Sequence, residues 1–274
     1  YFEVYQYNWS GGYVVGGVKS HRQQELQELI GFLSVQRKRS EVMQWLPAKQ
    51  RIPFYVCMSE KQRKLYDQML QDFMAVDEET DTVIDTANVL AQLTRLRQIC
   101  LDPKLLGFSC PSAKTEALLE WLEDNPEPVV IMSMFTSYLH LLKPQIEAQG
   151  RRVGMIIGEM NNQAKDQTVR DFQEGKLDVV LCNIISAGVG FTLDRAETII
   201  FTDLAWNPAD NEQAEDRITP TTEERNHSHN IIVFQCDGTV DTAINRILEA
   251  KKSLTDIINE GGKKAIEQLF KGEP

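Results

Sequence analysis

Most side chains of this sequence that could do chemistry lie in its second half. Ser186-Ala-Gly188-Val-Gly190-Phe-Thr192 follows the apolar run Val-Val-Leu-Cys182, so two glycines and two hydroxyls fall in a strand-to-helix loop. Glycine lets a backbone come close to a ligand and a helix start draws anions, although two glycines also simply punctuate such a loop. Asp203-Leu-Ala-Trp206-Asn207-Pro208 comes next and reads by itself as a tight turn with a core indole. Gln213-Ala-Glu-Asp-Arg217 closes the series, and its local reading is an exposed ion pair of Arg217 with Glu215 or Asp216. Arg37, Lys38, Arg39, Lys49 and Arg51 form a basic stretch near the start, which is either a solvated face or a set of phosphate contacts.

Other chemistries are set aside by residue type and spacing. Cys57, Cys100, Cys110, Cys182 and Cys236 are widely spaced in apolar strings, which predicts buried thiols. No CxxC pair or Cys/His cluster has metal-ligand spacing, and His227 with His229 reads as a polar loop, so no metal held by protein ligands is expected. There is no GxxxxGK[ST] string and no DExH-like acidic box in a strand context. A net charge of −11 argues against a simple nucleic-acid binder. The charge is uneven, however: residues 1–64 hold ten Lys/Arg against five Asp/Glu, so any phosphate-binding surface there must be local. No run approaches the roughly 18 apolar residues of a membrane span, and the first residues lack the charged-then-apolar layout of a signal peptide. A soluble intracellular protein without a membrane partner is expected, whether of cytoplasm, nucleoid or nucleus.

The elements that must position these residues follow from periodicity. From residue 111 on, short Val/Ile-rich runs at 128–133, 152–157, 178–182, 197–202 and 230–235 alternate with helical stretches at 113–123, 136–149, 162–174 and 209–217. Continuous apolarity implies strands covered on both faces, hence an α/β fold with a doubly wound, mostly parallel sheet. Residues 20–107 read as mainly helical apart from one strand-like run, Ile52–Met58, and Ser59 with Gln62 fits a capping box for the next helix. The acidic stretch 77–81 reads as the solvated tip of a helix hairpin. The closing helix, from Val240 to about Glu260, is expected to pack back onto the sheet. Two regions result: 1–110, an N-terminal mainly helical region, and 111–274, the α/β domain.

Several separated strings, in order, resemble the Swi/Snf branch of superfamily-two helicases over nearly the whole chain. Tyr13-Val-Val-Gly-Gly-Val-Lys19 is similar to the family's glycine-rich turn, Glu41–Lys49 to its EVL…LPxK segment, and Leu96–Pro103 to its LRQICNHP segment, departing at Leu101 and Asp102. Ser112-Ala-Lys114 is similar to the SxK entry to the second lobe and Val130–Phe135 to motif IV. Ser186–Leu193 resembles motif V, usually AGGVGLNL, and Asp203–Pro208 the DxxWNP string. Gln213–Arg217 begins motif VI, and Gly238-Thr-Val-Asp241 with the closing helix resembles the GTIDE segment and brace.

The resemblance implies a RecA-like second helicase lobe, with residues 1–110 as the end of a first lobe and a helical linker. It implies ATP with Mg2+, both shared with a first RecA-like lobe that supplies the phosphate cradle and the magnesium carboxylate. It also implies double-stranded DNA as partner, held through phosphates. Gly188, Gly190, Gln213 and Arg217 would then face nucleotide, Arg217 stabilising charge in phosphoryl transfer. Ser133, Ser186, Thr192, Trp206, Asn207 and Lys114 would face DNA. Motif VI departs from its usual QAEDRxxRxGQ, because Pro220 stands in the second arginine's place. Alternatively Arg217-Ile-Thr-Pro220 matches the RxGQ end and the intervening turn is shortened; either the arginine finger is displaced, with Arg225 the candidate, or residues of the motif are absent from this sequence. The alternative reading is a non-catalytic DNA-binding or regulatory module that keeps the fold.

Overall fold

The protein is described by a computed structural model that covers residues 2–6, 13–33, 49–72, 74–77, 82–85, 89–186, 190–220 and 229–249. The chain divides into two compact units, residues 1–46 and 47–274. In the first, strands β1 (Phe2–Gln6) and β2 (Tyr13–Val18) form an antiparallel pair, and α1 (Gln23–Leu33) follows. The glycine-rich string is therefore a strand and not a turn: its valines pair with Tyr5, Val4 and Phe2, and β-branched residues favour the pleated surface.

The second unit is built on a six-stranded sheet of β3 (Gln50–Val56), β6 (Val129–Ser133), β7 (Val153–Ile156), β8 (Val179–Asn183), β9 (Thr198–Phe201) and β10 (Asn230–Cys236). The order is β3-β10-β9-β6-β8-β7 and every pairing is parallel. Because side chains alternate along a strand, Val129 and Ile131 of β6 join one core while Val130 and Met132 join another. The first core is covered by α4 (Ala113–Asp124) and α5 (Thr136–Ala148) through Leu118, Leu122, Tyr138, Leu142 and Ile146. The second is covered by α6 (Asn162–Gln173) and α7 (Pro208–Glu215) through Phe172 and Ala214. Helices on both faces make this the doubly wound RecA-like α/β architecture that the apolar runs implied.

One strand comes from far upstream. β3 pairs with β10 from Gln50 to Val56, and the stacked rings of Phe54 and Phe234, 4.3 Å apart, seal the join. The helices α2 (Glu60–Asp72), α3 (Val89–Leu101) and α8 (Val240–Glu249) share a third core with the end of β10, formed by Tyr66, Met69, Leu96, Ile99, Cys236 and Ile244. The closing helix thus packs against α3 as well as β10. Ser59 caps α2, its Oγ accepting from Gln62 N at 3.3 Å. The Gln62 side chain does not return the bond: it is buried, donating to Ile99 O at 2.8 Å and accepting from Ala113 N at 3.1 Å. The acidic stretch does not join two helices directly. Residues 78–81 lie outside the described residues, and the strands on either side, β4 (Met74–Asp77) and β5 (Thr82–Asp85), pair antiparallel, as Val76, Val83 and Ile84 favour.

A glycine on β7 marks how closely α6 lies on the sheet. A Cβ on Gly154 would sit 2.6 Å from Leu177 Cδ1 and 2.8 Å from Thr168 Cγ2. Gly154→Val is expected to lower unfolding stability by about 1–3 kcal/mol through overpacking, read from a urea titration. An unchanged midpoint would mean that Leu177 swings aside without cost. No helix among the described residues is long and apolar enough to cross a membrane.

Candidate functional site

The strand order reverses around β6: the chain leaves it for β7 and β8 on one side and returns as β9 on the other. In open α/β sheets the crevice at the carboxyl ends of such strands is where ligands bind. Asp203, just past β9, fills this position. Its carboxylate accepts from Ser133 Oγ at 2.5 Å, from Met134 N at 3.2 Å and from Arg97 Nη2 at 3.0 Å. Burial pushes its carboxyl up from the ordinary range, while the Arg97 charge and the Ser133 hydroxyl oppose that rise. Arg97, on α3, also donates to Leu204 O. Its guanidinium lies between two rings, 5.4 Å from the Phe135 centroid and 5.6 Å from that of Trp206. The LRQIC, motif IV and DxxWNP strings therefore meet in one buried ionic node. Sequence reasoning passed over both Arg97 and Asp203; the available signal was an ionisable residue at the end of each of two apolar stretches.

Beside the node, Asn183 closes β8. Its Oδ1 accepts from the backbone N–H groups of Ile185 and Ser186, each at 3.2 Å, and from Ser186 Oγ at 3.4 Å. Its amide donates to Met134 O at 2.9 Å and Thr136 Oγ1 at 3.3 Å, tying the Ser186 loop to the β6–α5 turn. Gly188 lies outside the described residues. Gly190 is exposed, and a Cβ there would meet no atom of the described residues within 4 Å, so packing among them does not explain the glycine. Thr192 is half-buried, its carbonyl accepting from Gln173 Nε2 at 3.1 Å.

This loop and the end of α7 are joined. Arg217 Nη1 donates to Phe191 O at 3.2 Å, the guanidinium covers the Phe191 ring at 5.4 Å, and Leu193 N donates to Arg217 O at 2.6 Å. Arg217 is half-buried and Gln213 exposed. Glu215 and Asp216 engage the upstream basic residues: Arg51 Nη2 lies 2.7 Å from Glu215 Oε1, and Lys49 Nζ lies 2.7 Å from Asp216 Oδ1. Lys49 and Arg51 are thereby ion-paired, and Arg37 to Arg39 lie outside the described residues. Asn207 is exposed and caps α7 through Ala209 N at 3.1 Å, with Pro208 opening the helix. Asn211, unremarked in the sequence, holds the turn before it by accepting from Ala205 N at 2.8 Å and donating to Ala205 O at 3.0 Å.

Two of the DNA-facing candidates sit inside the protein. Ser133 is fully buried, its hydroxyl committed to Asp203 and to Phe135 N at 3.1 Å. Lys114 is fully buried too, donating to Thr202 O at 2.8 Å and Asp241 Oδ2 at 2.5 Å. Burial pulls its pKa down, but the Asp241 carboxylate more than offsets this, so the ammonium is stabilised. Asp241 also accepts from Cys236 N at 3.1 Å. Ligand atoms of Cys100, Cys236 and Asp241 lie within 4.8 Å of one another. Lys114 already neutralises the carboxylate, which makes this cluster an ion-paired core.

Comparison with known proteins adds the following. Residues 113–219 match the model of the helicase conserved C-terminal domain, and residues 14–105 that of the SNF2-related domain. The chain is 30% identical over 267 residues to YwqA of Bacillus subtilis (strain 168), whose name marks it for ATP-dependent helicase or translocase activity, covering 90% of this chain and 29% of that protein. It is 27% identical to the chromodomain-helicase-DNA-binding protein 1-like of Mus musculus, covering 87% of this chain and 28% of that one. The chain thus spans less than a third of these curated relatives. Among solved structures, the Sulfolobus solfataricus SWI2/SNF2 ATPase core in complex with dsDNA superposes with a TM-score of 0.61 at 24% identity, over 87% of this chain and 52% of that one. The C-terminal part of the Fun30 ATPase domain superposes with a TM-score of 0.62 at 16% identity, over 83% of this chain and 99% of that one. At these identities the superpositions speak to the fold.

Proposed function

Because the chain belongs to the SNF2-related, Swi/Snf-type family of helicase-like ATPases, we propose that it is the second RecA-like lobe of a motor that moves along double-stranded DNA. The observation that carries this reading is the union of its motif V and motif VI strings: Arg217 rests on Phe191 and is bonded through its backbone to Leu193. The Gly190 loop and the guanidinium then present a single surface to a phosphate. The donor set suits ATP in part. Arg217 is a planar cation matched to phosphoryl oxygens, whereas no Walker lysine occurs in the sequence, so a first lobe has to hold most of the nucleotide and its Mg2+. Bound ATP supplies the phosphoryl group to be transferred. This chain's part is to place Arg217 and the backbone of the Gly188 to Gly190 loop against it.

On the DNA side, Ser186, Thr192, Trp206 and Asn207 lie on the loops after β8 and β9 and suit backbone contacts that carry no sequence information. Ser133 and Lys114 act from inside. Ser133 fixes the node at Asp203, and Lys114 fixes α8 to α4. ATP turnover by the protein containing both lobes should rise with duplex DNA, with an apparent DNA affinity that falls steeply and linearly in log salt. Turnover indifferent to duplex at low salt would sink this reading. Pro220, buried at the place of the family's second arginine, favours one alternative, a non-catalytic DNA-binding module. Duplex binding with the same salt slope but no turnover would select it.

A further inference from the structure

We propose that Arg97 is a positioning residue for DNA engagement: wedged between Phe135 and Trp206 and paired with Asp203, it sets the spacing of the two loops that leave β6 and β9. The inference rests on the functional reading above and deepens it. Arg97 belongs to α3, outside the strand-helix alternation of the sheet, yet its side chain is 2% exposed and reaches the switch-point crevice. There it makes four contacts of three kinds. The Asp203 carboxylate takes one N–H at 3.0 Å, Leu204 O takes another, and the rings of Phe135 and Trp206 flank the cation at 5.4 and 5.6 Å.

The two rings come from different loops. Phe135 is the residue before α5, and Trp206 precedes the Asn207 cap of α7. Asp203 adds a third tie, holding Ser133 Oγ and Met134 N of the β6–α5 turn. Removing the guanidinium leaves a gap between two aromatic side chains and a buried carboxylate without its cation, so both loops must resettle. Lysine keeps the charge but lacks the flat face that stacks on both rings, so it should restore only part of the effect. Arg217 rests on Phe191, in a different loop, so the phosphoryl step should be spared.

The test uses the full protein containing both lobes, with ATP turnover measured against duplex concentration for Arg97→Ala, Arg97→Lys and the pair Arg97→Met with Asp203→Asn. The pair removes both buried charges together, so it does not leave a lone carboxylate in the core. Arg97→Ala is expected to raise the duplex concentration for half-maximal stimulation about tenfold, while kcat at saturating duplex and KM for ATP stay within about twofold. Arg97→Lys should fall between the parent and Arg97→Ala. The paired variant should melt near the parent and keep the shift in duplex dependence, which decides the matter if Arg97→Ala does not fold. Parental duplex dependence in the paired variant, or a fall in kcat without a shift in duplex dependence, overturns the inference alone. An unaltered protein whose turnover ignores duplex overturns the functional reading, and this inference with it.

Discussion

Arg217→Ala should lower DNA-stimulated kcat by about 10³-fold, the lower end of what a transition-state arginine contributes in phosphoryl transfer. Tenfold is worth about 1.4 kcal/mol, so the expected loss is about 4 kcal/mol of transition-state stabilisation. The side chain also has a structural task, since it bonds Phe191 O and covers the Phe191 ring. Phe191→Leu separates the two roles by weakening the stack while leaving the guanidinium in place. Its kcat should stay within about thirtyfold of the parent, because a lost cation–π contact is worth about 0.5–2 kcal/mol. Arg217→Lys should not rescue, as an ammonium lacks the planar fork of donors that matches phosphoryl oxygens. Turnover within tenfold of the parent in Arg217→Ala, measured at saturating duplex and ATP, would remove Arg217 from the reacting centre.

The second large effect is on stability. Lys114→Ala leaves Asp241 at zero net compensation beside Cys236 in a core where Lys114 itself is fully buried. Breaking a buried pair from one side costs about 3–5 kcal/mol, against a cost near zero, or a gain, for replacing both partners with well-packed apolar groups. Lys114→Met with Asp241→Asn should therefore recover most of the loss, because the amide can still accept from Cys236 N. Urea titrations of the parent, both single variants and the pair form the cycle that checks this. Additive losses would mean that the two residues do not act as a pair. The raised Lys114 pKa gives a sign as well. The stabilisation is complete below the unfolded lysine value of about 10.4 and is lost as pH rises through the higher folded value, so titration of the lysine leaves this contribution untouched at neutral pH.

Much of the fold was legible along the chain. The five Val/Ile runs became β6 to β10 and the stretches between them became α4 to α7, within a few residues at each end. Period-two and period-3.6 patterns are local properties, and strands covered on both faces advertise it by unbroken apolarity. The motif strings were legible for a similar reason, as short runs of fixed spacing. Phosphate-facing roles assigned from them went to residue types that donate hydrogen bonds, and here the sequence was a poor guide to direction. Ser133 and Lys114 both point inward, because each strand or helix end offers a polar side chain either to solvent or to a buried partner.

What the amino-acid sequence determined by itself, then, was the alternation of elements, the doubly wound class and the family to which its strings belong. Tertiary structure alone decided that residues 50–56 complete the sheet beside β10, that Arg97 meets Asp203 across 106 positions, and that Lys114 meets Asp241 across 127. The physical reason is one of range. A backbone pattern is set by each residue's neighbours within a turn or two, whereas a buried charge finds its counter-charge only once the chain has closed the long loop between them.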